Sequence, residues 1–268
     1  MRFTKMQGLG NDYLFIDGRR GLPEDLPELS RRMSDRHFGA GSDGIICVCP
    51  SDKADFRMRM FNADGSEGKM CGNGIRCFGK YVYDQGMTEK TRLSVETLAG
   101  LRYLELEAAD GRAVSVTADM GVPAVGAPRQ VQVLGRSYQV IPVSMGNPHG
   151  VVFLDSIAEL DLHVLGPAFE RSGVYTEDGG NTEFALLRTP EQLEVRVWER
   201  GSGETMACGT GACASLAAAA SAGLAERRAR VRMPGGLLEV RWEADGHIYL
   251  TGPAVTVYHG EWPEEGAG

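Results

Sequence analysis

The sequence predicts an α+β fold of two sheet-rich domains, each packed against or wrapped on one principal helix. Three observations carry that prediction. Two segments of the chain repeat one another, each repeat runs from an alternating strand pattern through a glycine-rich turn into a helical pattern, and the other ordered runs are short and β-like.

The repeat comes first. "RMRMFNADGSEGKMCGNGIRCFGKYVYDQG" (57–86) lies over "EVRVWERGSGETMACGTGACASLAAAASAG" (194–223) without a gap. Cys71 falls on Cys208, Glu67 on Glu204, Phe61 on Trp198, Asn62 on Glu199 and Gly86 on Gly223. "GLGND" around Asn11 is loosely echoed by "SMGNPH" around Asn147. The period is too long for a solenoid, so two homologous halves are expected.

Within each half, "FRMRMF" and "LEVRVW" alternate apolar and charged residues, as strands with one buried face do. The helices that follow have Asn73 and Thr210 as N-cap candidates and Gly86 and Gly223 where they should stop. "AVSVT", "YQVIPV", "VVFL", "LLEVRW", "HIYL" and "AVTVY" read as further strands. "MGVPAVGAP" breaks the pattern near Met120–Pro128 and suggests the boundary between halves.

The chain has 268 residues, 43% of them hydrophobic, enough to bury a sizeable core. A formal net charge of -8 argues against a nucleic-acid partner. The start of the chain has no readable secretory h-region, and the alanine-rich stretch 211–228 is broken by Ser and Gly and ends in charge. It reads as a buried helix of a soluble, cytoplasmic protein with no membrane partner. Six cysteines in such a chain are expected as reduced thiols, and the paired spacing of a zinc site is absent, so no metal is expected. Cys47 and Cys49, in an apolar strand pattern, are expected in or near the core, and so are Cys77 and Cys213 inside their helices.

Cys71 and Cys208 remain. Unpaired N–H groups and the dipole at a helix start suit an anion and are expected to lower a thiol's pKa toward neutrality. A substrate carboxylate gripped by two such helix starts would set its α-carbon between two sulfurs. One sulfur could then remove a proton while the other delivers one to the opposite face, without a pyridoxal-phosphate lysine. Either cysteine alone reads as a small buried residue, and a disulfide between them is a third reading; it is the duplication that favours chemistry.

Taken together and in order, "GLGNDY", "FNADGSE", "CGNGIRC", "GNPH", "WERGSGET" and "ACGTGAC" closely resemble the diaminopimelate epimerase family over nearly the whole chain. The resemblance implies two pseudo-symmetric domains, each a mostly antiparallel β-sheet wrapped around a central α-helix. It implies a first domain of residues 1–119 completed by a returning strand about 252–268, a second of 120–251, and an active site in the cleft between them. It further implies cofactor-independent interconversion of L,L- and meso-diaminopimelate in lysine and peptidoglycan-precursor synthesis, and a homodimer. Cys208 would accept and Cys71 donate the proton in the L,L to meso direction. Gly72, Asn73, Gly209 and Thr210 would hold the reacting carboxylate, and Asn11, Asn62, Asn147, Asn181, Glu199 and Arg200 would contact the substrate. His149 and Glu199 match the pair that tunes the thiols. At Gly44 some members carry a substrate-contacting glutamine, which this chain lacks. Proline racemase-like and hydroxyproline epimerase-like enzymes are rivals that resemble the chain less, and a noncatalytic small-acid binder would not need both thiols.

Overall fold

A computed structural model describes residues 1–175 and 179–263. The chain begins with strands β1 (Arg2–Gly8) and β2 (Asn11–Asp17), paired antiparallel through a turn at Leu9 and Gly10, both at positive φ. Helix α1 (Leu26–Ser34) follows, capped by the Asp25 carboxylate, which accepts from the Glu28 N–H. Strand β3 (Gly44–Cys49) runs parallel to β2, and β4 (Phe56–Asn62) antiparallel to β3. The short β5 (Glu67–Gly68) leads into α2 (Gly72–Asp84), after which β6 (Arg92–Thr97) pairs parallel with β4. Strands β7 (Gly100–Ala109) and β8 (Arg112–Asp119) extend the sheet as a meander.

The second half opens with β9 (Ala124–Val125) and β10 (Arg129–Val133), both on β11 (Arg136–Ser144). Then come β12 (Pro148–Phe153), α3 (Leu162–Glu170), β13 (Asn181–Thr189), β14 (Gln192–Glu199), β15 (Gly203–Thr205) and α4 (Gly209–Ser221). Strands β16 (Arg228–Met233), β17 (Gly236–Trp242) and β18 (Ile248–Gly252) complete it, and β19 (Val255–Glu261) returns to pair antiparallel with β1. By contacts the chain divides into one unit of Met1–Ala118 with the described residues from Gly252 on, and another of Asp119–Thr251.

The topology repeats strand for strand. β1, β2, β3, β4, β6, β7 and β8 are neighbours in that order, and β11, β12, β13, β14, β16, β17 and β18 follow the same order and the same senses. The alignable stretch 57–86 against 194–223 is thus the part of a longer structural repeat where sequence likeness has survived.

Each sheet curls round its long helix. α2 touches β1, β2, β3 and β7, and α4 touches strands from β9 to β17. A helix surrounded this way must be apolar on nearly every side, which the alanines of α4 supply; Ala212, Ala214, Ala217, Ala218 and Ala219 are fully buried. The alanine-rich stretch is therefore a core helix, and none of the described helices is long and apolar enough to cross a membrane.

Two details differ from the sequence reading. Each half holds a second, shorter helix, α1 or α3; α3 contains Pro167 and packs Gly166 so tightly on Trp198 that an added Cβ would lie 2.1 Å from the ring, so packing, not propensity, holds it. And the N-caps are Cys71 and Cys208 themselves, not Asn73 and Thr210, which lie inside the first turn. Gly86 (φ +65°) and Gly223 (φ +70°) do end the helices.

Candidate active site

Cys71 has extended backbone angles, and its sulfur accepts from the Gly74 N–H at 3.4 Å. Cys208 does the same with Gly211 at 3.3 Å. A residue that caps a helix with its side chain is drawn over the unpaired N–H groups of the first turn. Both thiols are thereby fixed at the positive end of a buried helix, with the N–H groups of Gly72 and Asn73, or Gly209 and Thr210, beside them.

In the first unit the Cys71 thiol donates to the Asn11 side-chain oxygen at 3.1 Å. That amide is oriented by its other end, because Asn11 Nδ2 donates to Asp43 Oδ2 at 2.7 Å. Asp43 in turn accepts from Arg36 at 3.0 Å, and Arg36 also reaches Asp12 at 2.9 Å. The chain of bonds therefore faces a carbonyl oxygen toward sulfur, where it accepts the Cys71 S–H. Burial, and then Cys71 beside it, hold the Tyr13 phenol well above its usual range, so this hydroxyl stays neutral.

The first turn of α2 is braced from within. Arg76 is fully buried and donates to the Gly72 carbonyl and to Asn73 Oδ1, each at 2.9 Å. Asn62 stands at the end of β4 and donates to the Ser66 hydroxyl at 2.9 Å. Gly44 pairs with Asn62 across β3 and β4, and an added Cβ there would lie 2.1 Å from the Phe61 oxygen. This backbone has no room for a glutamine side chain at Gly44.

In the second unit Cys208 lies 3.4 Å from the Thr210 hydroxyl, which accepts from Asn147 Nδ2 at 3.4 Å. Glu199 is hydrogen-bonded to Cys208 and accepts from the Thr205 hydroxyl, and burial raises its carboxyl above the ordinary range. Asn181 uses its side-chain oxygen to accept the Arg200 N–H at 2.9 Å, which holds the turn carrying Arg200. His149 is buried and lies beside Asn181 in the parallel pairing of β12 and β13.

One expectation is corrected here. The helix end was expected to lower the thiol's pKa, yet burial pushes Cys208 well above its usual range, with the charges of Glu199 and then Glu183 adding to it. The bonds from Gly211 and Thr210 pull downward but are outweighed, because desolvation penalises a thiolate more than one helix end rewards it. His149 is hydrogen-bonded to Glu183, at 2.7 Å. Glu183 was missed by the sequence reading. A signal existed: "NTEFALL" sets a lone acid inside an apolar strand, and a buried carboxylate requires a partner. Arg76 and Tyr13 were missed too. None of the six cysteines is in a disulfide, and Cys47, Cys49, Cys77 and Cys213 are buried; Cys47 and Cys77 are each pushed up to about 12 by burial.

Comparison with known proteins accords with these features. A family model described as diaminopimelate epimerase matches residues 3–125 and 141–257. A diaminopimelate epimerase of Methanococcus maripaludis is 48% identical, with 97% of this chain and 99% of that protein covered. One from Acetivibrio thermocellus is 47% identical, covering 97% of this chain and 98% of its own. Among solved structures, a probable proline racemase from Agrobacterium radiobacter superposes with a TM-score of 0.76 at 18% identity, covering 98% of this chain and 92% of that one. That last likeness is one of fold.

Proposed function

The chain belongs to the diaminopimelate epimerase family, and from that premise we propose that it interconverts L,L- and meso-diaminopimelate at one α-carbon without pyridoxal phosphate. Cys71 and Cys208 form the acid/base pair. The observation that carries the reading is the repeated capping of two core helices by a thiol, a device that packing alone does not call for.

In the L,L to meso direction Cys208, as thiolate, takes the α-proton and Cys71 gives its own to the other face. The reaction requires both sulfurs at the same carbon. Cys71 is suited to the donor's part because its S–H is already oriented by the Asn11 side-chain oxygen that accepts it. Cys208 is buried beside Glu199, so its thiolate is costly to form and correspondingly basic once formed. The N–H groups of Gly72, Asn73, Gly209 and Thr210 hold the reacting carboxylate and the charge that develops next to it. Arg200 is suited to the carboxylate at the far end of the substrate, and Asn11, Asn62, Asn147, Asn181 and Glu199 to its amino and carboxyl groups. Arg76 keeps the Asn73 side chain in place for that task. Such an enzyme works in the cytoplasm, as a homodimer, on a small substrate of lysine and peptidoglycan-precursor synthesis.

Incubation with L,L-diaminopimelate in deuterated water tests this. One α-position should acquire deuterium as the meso isomer appears, and Cys71→Ala or Cys208→Ala should cut the rate by about 100-fold or more while the fold is kept. Full turnover by either variant, or exchange into proline but not diaminopimelate, would refute it.

A further inference from the structure

The second unit buries more polar machinery than a cysteine and its cap require. The side chains of His149 and Glu183 are both fully buried, and they are joined by one 2.7 Å bond from His149 Nδ1 to Glu183 Oε1. Their remaining polar atoms, His149 Nε2 and Glu183 Oε2, have no partner among the described residues. A buried pair with two idle atoms is costly to keep for stability alone, since apolar residues of similar volume would do as well.

The pair adjoins Cys208. A Cβ placed on Gly211 would lie 2.7 Å from Glu183 Oε1 and 3.3 Å from Cys208 Sγ, so the carboxylate and the sulfur are separated by no more than those two distances together. Glu199, which is hydrogen-bonded to Cys208, is within the field of both His149 and Glu183. Four groups from β12, β13, β14 and the start of α4 thus share one buried cluster.

We propose that Glu183 is a positioning residue: its carboxylate fixes His149 as the Nδ1–H tautomer, so that Nε2 offers a lone pair as proton acceptor to the Cys208–Glu199 pair. A carboxylate only accepts, so the shared hydrogen belongs to Nδ1 and the other ring nitrogen is left bare. When Cys208 is to act as base, its S–H bond breaks, an N–H bond forms at Nε2 by way of that pair, and the electron pair stays on sulfur. The imidazolium so formed is held by the Glu183 charge. This rests on the proposed epimerase reading, in which His149 and Glu199 tune the thiols, and adds to it the residue that holds the His149 ring in the state this requires.

Long-range nitrogen–proton NMR of the full chain, labelled at histidine and assigned with His149→Ala, reads the tautomer directly and needs no activity. The expected result is protonated Nδ1 and bare Nε2 in the unsubstituted protein, with a second tautomer appearing in Glu183→Gln. In α-exchange of diaminopimelate, Glu183→Gln should lower kcat by about tenfold to 100-fold and change KM by less than about twofold. Added to His149→Ala, it should cost less than about a further twofold, because it acts only through the ring. An Nε2–H ring in the unsubstituted protein, an unchanged kcat, or a full additional loss in the double variant would overturn the proposal. If Glu183→Gln does not fold, the tautomer of the unsubstituted protein decides it. A protein that exchanges no diaminopimelate would sink the epimerase reading, while the tautomer would still judge the role of Glu183.

Discussion

Gly74 and Gly211 occupy the same place in the two repeats, three residues after Cys71 and Cys208, and each gives its N–H to the cysteine sulfur. Replacing either by alanine adds one methyl group to the first turn of a helix, and by propensity alone that should stabilise by at most about 1 kcal/mol. The surroundings separate the two. At Gly74 the new Cβ meets Ile46 Cδ1 at 2.8 Å, the far end of a flexible side chain that can rotate aside. At Gly211 it meets Glu183 Oε1 at 2.7 Å, and that oxygen is held by His149. Moving it lengthens a buried charge-assisted bond worth about 1.5–3 kcal/mol. Gly74→Ala should therefore stay within about 1 kcal/mol of the parent. Gly211→Ala should be less stable by about 0.5–2 kcal/mol, a drop of a few degrees in Tm. Calorimetric unfolding of both variants at neutral pH decides it. Gly211→Ala as stable as Gly74→Ala would show that Glu183 is not pinned as described.

Three further outcomes concern titration. Site-resolved alkylation with a small reagent should leave Cys47 and Cys77 unlabelled, since burial pushes each up to about 12, and should label Cys208 only in alkaline solution. Glu199→Gln removes an anion that raises the Cys208 thiol, so labelling of Cys208 should begin at lower pH; no shift, or a shift upward, would contradict the assigned cause. His247 is raised from 6.5, first by its bond to Asp119 at 2.9 Å. Its folded pKa thus exceeds its unfolded one, so its contribution is fully present below about 6.5 and is lost as pH rises through the folded value. The Tm gap between the parent and His247→Ala should be small, because the ring is partly exposed, widest in mildly acidic solution, and closed in alkaline solution.

The long elements were legible because their signals are local. Alternation in "FRMRMF" and "LEVRVW", glycines after the helices, and thiols before them are set by residues a few positions apart. The helix starts were misjudged by two residues because cysteine is not an expected cap, although its sulfur can accept a backbone N–H when nothing stronger is available. The short α3, with Gly and Pro inside it, carries little local signal and exists through Trp198.

By itself the sequence determined that the chain is a duplicated α+β protein, that one cysteine of each repeat stands at a helix start, and which family it resembles. Pattern and spacing suffice for that, since they are properties of neighbouring residues. Only the tertiary structure decided that His149 pairs with Glu183, 34 residues away, that Arg76 braces the turn holding Asn73, and that Cys208 is driven toward the thiol form instead of the thiolate. The reason is physical: a hydrogen-bond partner and the energy of a buried charge depend on what surrounds a group in space. That environment is assembled from strands far apart in the chain.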